Sequence, residues 1–387
     1  MKKLLFSGLA FVIFSSSFTQ VIKKSPQYTY QKPEVHDDGI ITGDLTIAKI
    51  DTALIAALTS RILADSFRNV HSLLIQKDGQ LVYENYFTGK DQKHGKRLGY
   101  IEHHRDQLHD CRSISKTIVA ACIGIAIQKG IINSVNDPAG KYLPGINGRE
   151  KQTITIQHLL TMTSGLSWKE IGDYGNFFNN ETQMGLRFNP IRYILNRKLA
   201  VKPGSTWNYS AGNTQLLAEI IHQTSGLTVD EFAAKYLFSP LGINTYEWVT
   251  LSFKRIPAAA SGLRLSSRDL LKFGSLFMNN GKFNSSQIID SNWINESLQS
   301  HIDRRGISRL NIKDGGFGYA IWIYNDTVQR TKVEIVEAKG NGGQSIFLCR
   351  SLNLLVVTTG GNYNRPDNST YKMLTEYIIP AVMFHKK

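Results

Sequence analysis

Cys111–Gly130 reads CRSISKTIVAACIGIAIQKG, and the fold turns on how this stretch is read. Ile118 to Ile127 carries no charge, and Lys129-Gly130 closes the run as a helix stop. A helix with no polar stripe is buried on every side, so the rest of the chain must wrap around it. At its start stand Ser113 and Lys116, three residues apart. On a helix that spacing stacks hydroxyl and amine on one face, within hydrogen-bond reach. A lysine serves as a base only where burial or a nearby cation lowers its pKa, and the uncharged run predicts a desolvated Lys116. A plain helix cap followed by a snorkelling lysine would show the same spacing. Ser-x-x-Lys recurs at Ser369–Lys372, on an amphipathic terminal segment. There Glu376 would keep Lys372 charged, and Ser369 reads as an N-cap.

On the N-terminal side, His71–Phe87 (HSLLIQKDGQLVYENYF) holds two alternating apolar runs around Asp78-Gly79, a strong hairpin signal. Leu45–Arg68 has helical spacing. On the C-terminal side, Thr155–Thr163, Asn213–Thr224, Val229–Tyr236 and Ser267–Met278 read as helices. The period returns to strands at Tyr319–Tyr324, Val333–Glu337, Ser345–Cys349 and Leu354–Thr359, and a last helix follows over Tyr371–Phe384. This order lacks the strand–helix alternation of a parallel sheet. It predicts an α/β fold of the α+β kind: an antiparallel sheet built from about 45–110 and 315–387, flanked by helices, with a helical lobe over about 111–314 inserted between. Residues 45–387 are expected to form one domain in two lobes, and 21–44 a linker or irregular arm.

The chain has 387 residues, with 45 Lys+Arg against 31 Asp+Glu, a formal charge of +14. The basic residues are dispersed, with no recognised nucleic-acid-binding motif, so no nucleic-acid partner is expected. Cys111, Cys122 and Cys349 are too few for a disulfide framework and read as buried thiols. No His-Glu-x-x-His is present. His103, His104 and His109 fall in a charged segment at a spacing that does not share a helical face, and a solvated loop is expected there; neither a metal site nor a cofactor is expected. Gly-x-Ser-x-Gly and the phosphate-binding glycine fingerprints are also absent.

Residues 1–20, MKKLLFSGLAFVIFSSSFTQ, have the charged start, short apolar centre and polar exit of a secretory signal peptide. No other window approaches the roughly 20 apolar residues of a membrane span, so a periplasmic or secreted protein without a stable span is expected.

Taken in order, Cys111–Gly130, HLLTMTSGL (158–166), PGSTWNYSAGNTQLLAEII (203–221), SGLRLSSRDLLKFGSLFMNNGK (261–282) and GNGGQSIFLCRSLNLLVV (340–357) resemble the serine β-lactamase and penicillin-binding-protein superfamily. The likeness is to the class C β-lactamase-like branch, which includes DD-peptidases, esterases and 6-aminohexanoate-dimer hydrolases. It implies an active site between sheet and helical lobe, with Ser113 as the acylated nucleophile and Lys116 as its activating partner. Tyr209 matches the tyrosine of Tyr-x-Asn, a proton shuttle whose pKa the Lys116 cation would lower. A half-buried loop aromatic is the plainer reading of Tyr209.

Two departures stand out. Ala211 replaces the asparagine of Tyr-x-Asn, with Asn213 two residues later as a possible substitute. Lys-Thr-Gly is replaced by Ala338-Lys339-Gly340, and Lys339 would point to the other face of its strand. The resemblance places the backbone N–H of Asn341 with that of Ser113 in an oxyanion hole, and Gly340 and Gly342 beside it would permit close substrate approach. A flexible turn would have the same text. The missing cation turns the expectation from penicillins toward a small or peptide-like amide or ester. A β-lactamase, a DD-carboxypeptidase and a non-catalytic cell-wall-binding relative are the alternatives.

Overall fold

The computed structural model describes residues 28–384 except 171–173, 175, 252–255, 303–314 and 366–367; the leader expected over residues 1–20 lies outside this range. Its centre is a seven-stranded antiparallel sheet. β1 (Val70–Lys77) and β2 (Gln80–Tyr86) form the expected hairpin, with Asp78 and Gly79 both at positive φ (49° and 79°), as a two-residue turn of this kind requires. β3 (Gly89–Lys93) and β4 (Lys96–Ile101) form a separate hairpin, followed by the short β5 (His109–Asp110) and its partner β6 (Leu263–Leu265). The late strands are β7 (Gly315–Phe317), β8 (Trp322–Val328), β9 (Thr331–Gly340), β10 (Gln344–Cys349) and β11 (Leu354–Gly360). Across the main sheet the order is β7-β8-β9-β10-β11-β1-β2. Both ends of the chain therefore build one sheet, joined where Leu74 faces Val357.

Alternation sets the two faces. Leu73, Ile75 and Val356 point into one core, with α1 (Thr52–Leu63) and the terminal helical run 369–383. Leu74, Leu355 and Val357 point into the other core, shared with α2 (Ile114–Gln128), α3 (Ile156–Leu160), α4 (Ala211–Ser225) and α5 (Ser267–Met278). Every residue of α2 from Ile114 to Ala126 is buried. That helix is the axle of the helical lobe, and its packing reaches α6 (Ser291–Ser297), where Trp293 lies over Gly124. The arm from Tyr28 to Gly43 is irregular but tied to the sheet: the Tyr30 hydroxyl donates to Val82 O (2.9 Å), and Arg268 of α5 pairs with both Asp38 and Glu84 at 2.6 Å.

Several expectations need correction. The charged segment with His103, His104 and His109 is not a solvated loop. It follows the β3–β4 hairpin, and His103 and His109 are buried while His104 is exposed. Helical spacing over Leu45–Arg68 yields a helix only from Thr52, because Asp51 accepts from the N–H groups of Ala53 and Leu54 and starts it there. Ser369 is the first residue of its helix, and Asn368 stands in the cap position.

Candidate active site

Ser113 is delivered by a tightly held turn. Cys111 N–H donates to Leu263 O (2.9 Å), Arg264 pairs with Asp110 (2.9 Å), and Arg112 takes a positive φ of 50° before the chain enters α2. Ser113 occupies the N-cap position of α2, yet its side chain makes no capping bond. Its Oγ instead accepts from Lys116 Nζ at 3.0 Å, which sets aside the plain-cap reading. Ser113 is half-buried and Lys116 is 1% exposed, so the serine is the more accessible of the two and the ammonium lies behind it.

Lys116 Nζ also donates to Ala260 O (3.1 Å), lies 4.9 Å from the Tyr209 ring centroid and 4.0 Å from Glu170 Oε1. Tyr209 stands just before α4, and its ring stacks on Trp322 (5.9 Å) beside Trp207 (6.0 Å). The structure thus brings Ser113, Lys116 and Tyr209 together, with Glu170 added.

Glu170 had no signal in the sequence beyond being a carboxylate near Trp168. Its Oε2 accepts from Ala211 N–H (2.7 Å) and from the Trp168 indole (3.0 Å), so a buried carboxylate sits on the backbone of the residue that replaces the motif asparagine. Burial pushes Glu170 up to about 7, against the opposing pull of Lys116. Lys116 reverses the expectation. Burial favours the neutral amine, but Tyr209, Glu170 and Glu181 outweigh it and raise the pKa. Tyr209 is likewise raised rather than lowered, because burial of the phenol and the charge of Glu170 exceed the help from Lys116.

The opposite wall is the β9–β10 turn. Gly340 lies against the Ser113 turn so closely that a Cβ there would meet Cys111 O at 2.4 Å. Gly342 and Gly343 take φ of 106° and 97°, where a side chain would be strained. This turn is braced: Asn362 N–H donates to Gly342 O (3.0 Å), and the Asn341 amide exchanges two hydrogen bonds with Asn364 (2.6 and 2.9 Å). Asn213 does not take the place of the missing motif amide. It is buried in the first turn of α4, accepting from Ser164 Oγ (2.8 Å) and facing Met162. Lys339 turns to Glu337 (3.4 Å).

A family model described as Beta-lactamase matches residues 57–372. The chain belongs to the Beta-lactamase family. Among curated relatives of this β-lactamase-family chain, penicillin-binding protein 4* of Bacillus subtilis is 30% identical over 178 residues, covering 45% of this chain and 36% of that protein. The 6-aminohexanoate-dimer hydrolase of Paenarthrobacter ureafaciens is 23% identical over 220 residues, 55% of this chain and 54% of its own. The chain spans between 36% and 60% of the length of the first three curated relatives it matches. Among solved structures, EstCE1, a hydrolase with promiscuous acyltransferase activity, superposes with a TM-score of 0.69 at 15% identity over 87% of this chain and 99% of that one. The octameric penicillin-binding protein homologue from Pyrococcus abyssi gives 0.62 at 22% identity over 83% and 76%. These structures share the mixed fold of an antiparallel sheet and helices.

Proposed function

We propose that this member of the β-lactamase family is an exported serine hydrolase that cleaves an amide or ester bond through an acyl-enzyme on Ser113. One observation carries the reading: the 3.0 Å bond from a buried Lys116 to the hydroxyl of a half-exposed Ser113. Ser113 Oγ attacks the substrate carbonyl carbon, and its proton passes to the Lys116–Tyr209 pair. The carbon–nitrogen or carbon–oxygen bond breaks, and Tyr209 returns that proton to the departing amine or alcohol. Water then attacks the acyl group by the same route in reverse, freeing the acid and restoring the Ser113 hydroxyl. The N–H groups of Ser113 and Asn341 are the oxyanion donors, each worth about a hundred- to thousandfold in rate. Gly340 and Gly342 keep side chains out of the substrate's approach.

Peptide-like or oligomeric amides and small esters are the preferred substrate class, because Lys339, one residue from the position of the family's Lys-Thr-Gly lysine, is engaged with Glu337 rather than free to hold a penicillin carboxylate. Export rests on the leader-like text of residues 1–20. Among the described residues no helix is long and apolar enough to cross a membrane.

A fluorophosphonate probe tests the assignment: it should label the wild type and the Ser369→Ala variant but not Ser113→Ala. Labelling retained in Ser113→Ala would overturn it. N-terminal sequencing of the periplasmic or secreted product tests export, with a start near residue 20 expected.

A further inference from the structure

His71 on β1, Asp91 on β3, His103 after β4 and His109 on β5 meet at one buried point beside the turn that carries Ser113. Their exposures are 0%, 6%, 4% and 0%, and one potential ligand atom from each lies within 4.8 Å of all the others. The hydrogen bonds around the cluster assign the tautomers, since a backbone carbonyl can only accept. His71 Nε2–H donates to Lys90 O (3.1 Å), which leaves Nδ1 as a lone pair. His103 Nδ1–H donates to Phe87 O (2.8 Å), which leaves Nε2 as a lone pair.

Both lone pairs face the Asp91 carboxylate, at 3.9 Å for His71 and 3.5 Å for His103. Asp91 is itself positioned: Oδ1 accepts from Gln92 N–H (2.8 Å) and the Tyr363 hydroxyl (3.3 Å). What remains is a group of buried atoms without hydrogen-bond partners among the described residues: His71 Nδ1, His103 Nε2, Asp91 Oδ2 and both nitrogens of His109. Each such atom ordinarily costs about 1–3 kcal/mol, and native proteins hold few of them, so several at one point suggest a common guest.

We propose that His71, Asp91, His103 and His109 bind a divalent first-row transition metal, zinc by the chemistry of the donors. Ligating histidines characteristically donate their other N–H to a backbone carbonyl, as His71 and His103 do. Three imidazoles and one carboxylate form a borderline nitrogen–oxygen set that suits Zn²⁺ rather than a hard, all-oxygen cation. Tetrahedral bonds of about 2.0–2.1 Å place ligand atoms about 3.4 Å apart. His103 and His71 stand 3.5 and 3.9 Å from the Asp91 carboxylate and all four atoms lie within 4.8 Å of one another, so a small inward shift of the side chains would close the shell. Four protein ligands in a closed, buried shell describe a structural site rather than a Lewis-acid centre.

The ion would act on the reaction only through position. His109 leads through Asp110 and Cys111 into the Ser113 turn, and Tyr363, on Asp91, belongs to the segment that braces Asn341 and Gly342. One ion would therefore clamp both walls of the cleft; this role rests on the function proposed above, whereas metal binding itself does not.

The test uses the full chain purified without a polyhistidine tag or chelator. Elemental analysis after dialysis should find about one zinc per chain, and stripped protein given Co²⁺ should develop the visible absorption of a four-coordinate site. Zinc should raise the Tm of the stripped wild type by roughly 5 °C or more. His103→Ala and the near-isosteric Asp91→Asn should each lose most of the zinc and the Tm response, while Ser113→Ala keeps both. Should His103→Ala fail to fold by circular dichroism, Asp91→Asn decides. A stoichiometric ion of another first-row metal supports the site and corrects only the ion. A wild type that holds less than about a tenth of an equivalent, with neither cobalt absorption nor a Tm response, overturns the proposal. Zinc retained at full stoichiometry by both variants does so as well.

Discussion

At Lys116 and Tyr209 the chemistry is set by groups that a local reading of the chain cannot bring together. Both pKa values are raised, Lys116 by anionic neighbours that outweigh its burial and Tyr209 by burial. In the mechanism proposed above, the resting pair therefore carries one proton more than attack by Ser113 requires. Raising the pH removes it, so kcat/KM on a neutral ester should climb on the alkaline side, and a pH–rate profile that falls above neutrality would contradict this. Tyr209→Phe keeps the ring against Trp322 but removes the proposed shuttle, and should lower kcat by about a hundred- to ten-thousandfold with the Tm little changed.

Glu170 allows a stability prediction with a definite sign. Its folded pKa, about 7, lies above the ordinary value of 4.5, so the folded state binds more protons between these limits and stability falls as the pH rises through them. Glu170→Gln resembles the protonated form. Relative to wild type, the variant should gain stability from pH 4.5 to 7, on the order of 3 kcal/mol by urea titration at the two pH values.

Among elements, the hairpin and late strands were legible because apolar alternation and Asp78-Gly79 are local signals. The buried character of α2 followed from the absence of any charge between Ile118 and Ile127. The β3–β4 hairpin was not legible: its outer residues are charged and exposed, and only a few side chains, Asp91 among them, turn inward. The histidines gave no motif because their four segments are brought together by sheet and hairpin pairing rather than by spacing. The grouping of Ser113 with Lys116 was legible from their spacing and that of Tyr209 by resemblance, while Glu170 was not legible, since its partners Lys116 and Ala211 are remote in sequence. The packing of α2 on α6 is itself testable. A Cβ on Gly124 would fall 2.4 Å from the Trp293 indole, so Gly124→Ala should cost about 1–3 kcal/mol in thermal or urea unfolding while leaving the labelling of folded Ser113 unchanged.

For the molecule as a whole, Arg268 is the tie between arm, sheet and lobe. It is 3% exposed and pairs with Asp38 from the arm and Glu84 from β2. Arg268→Met leaves a buried carboxylate uncompensated and should cost about 3–5 kcal/mol, with earlier tryptic cleavage in the arm; adding Glu84→Gln should recover part of the loss.

The pairing of β1 with β11 also governs how the molecule can be made. Leu74 must wait for Val357, so the central seam of the sheet cannot close until β11 has been synthesised. Contacts so far apart in sequence form slowly, because the entropy of closing a long loop must be overcome before any native pairing compensates. A nascent chain would spend its synthesis with both cores open at that seam and would fold as a unit only once β11 had emerged.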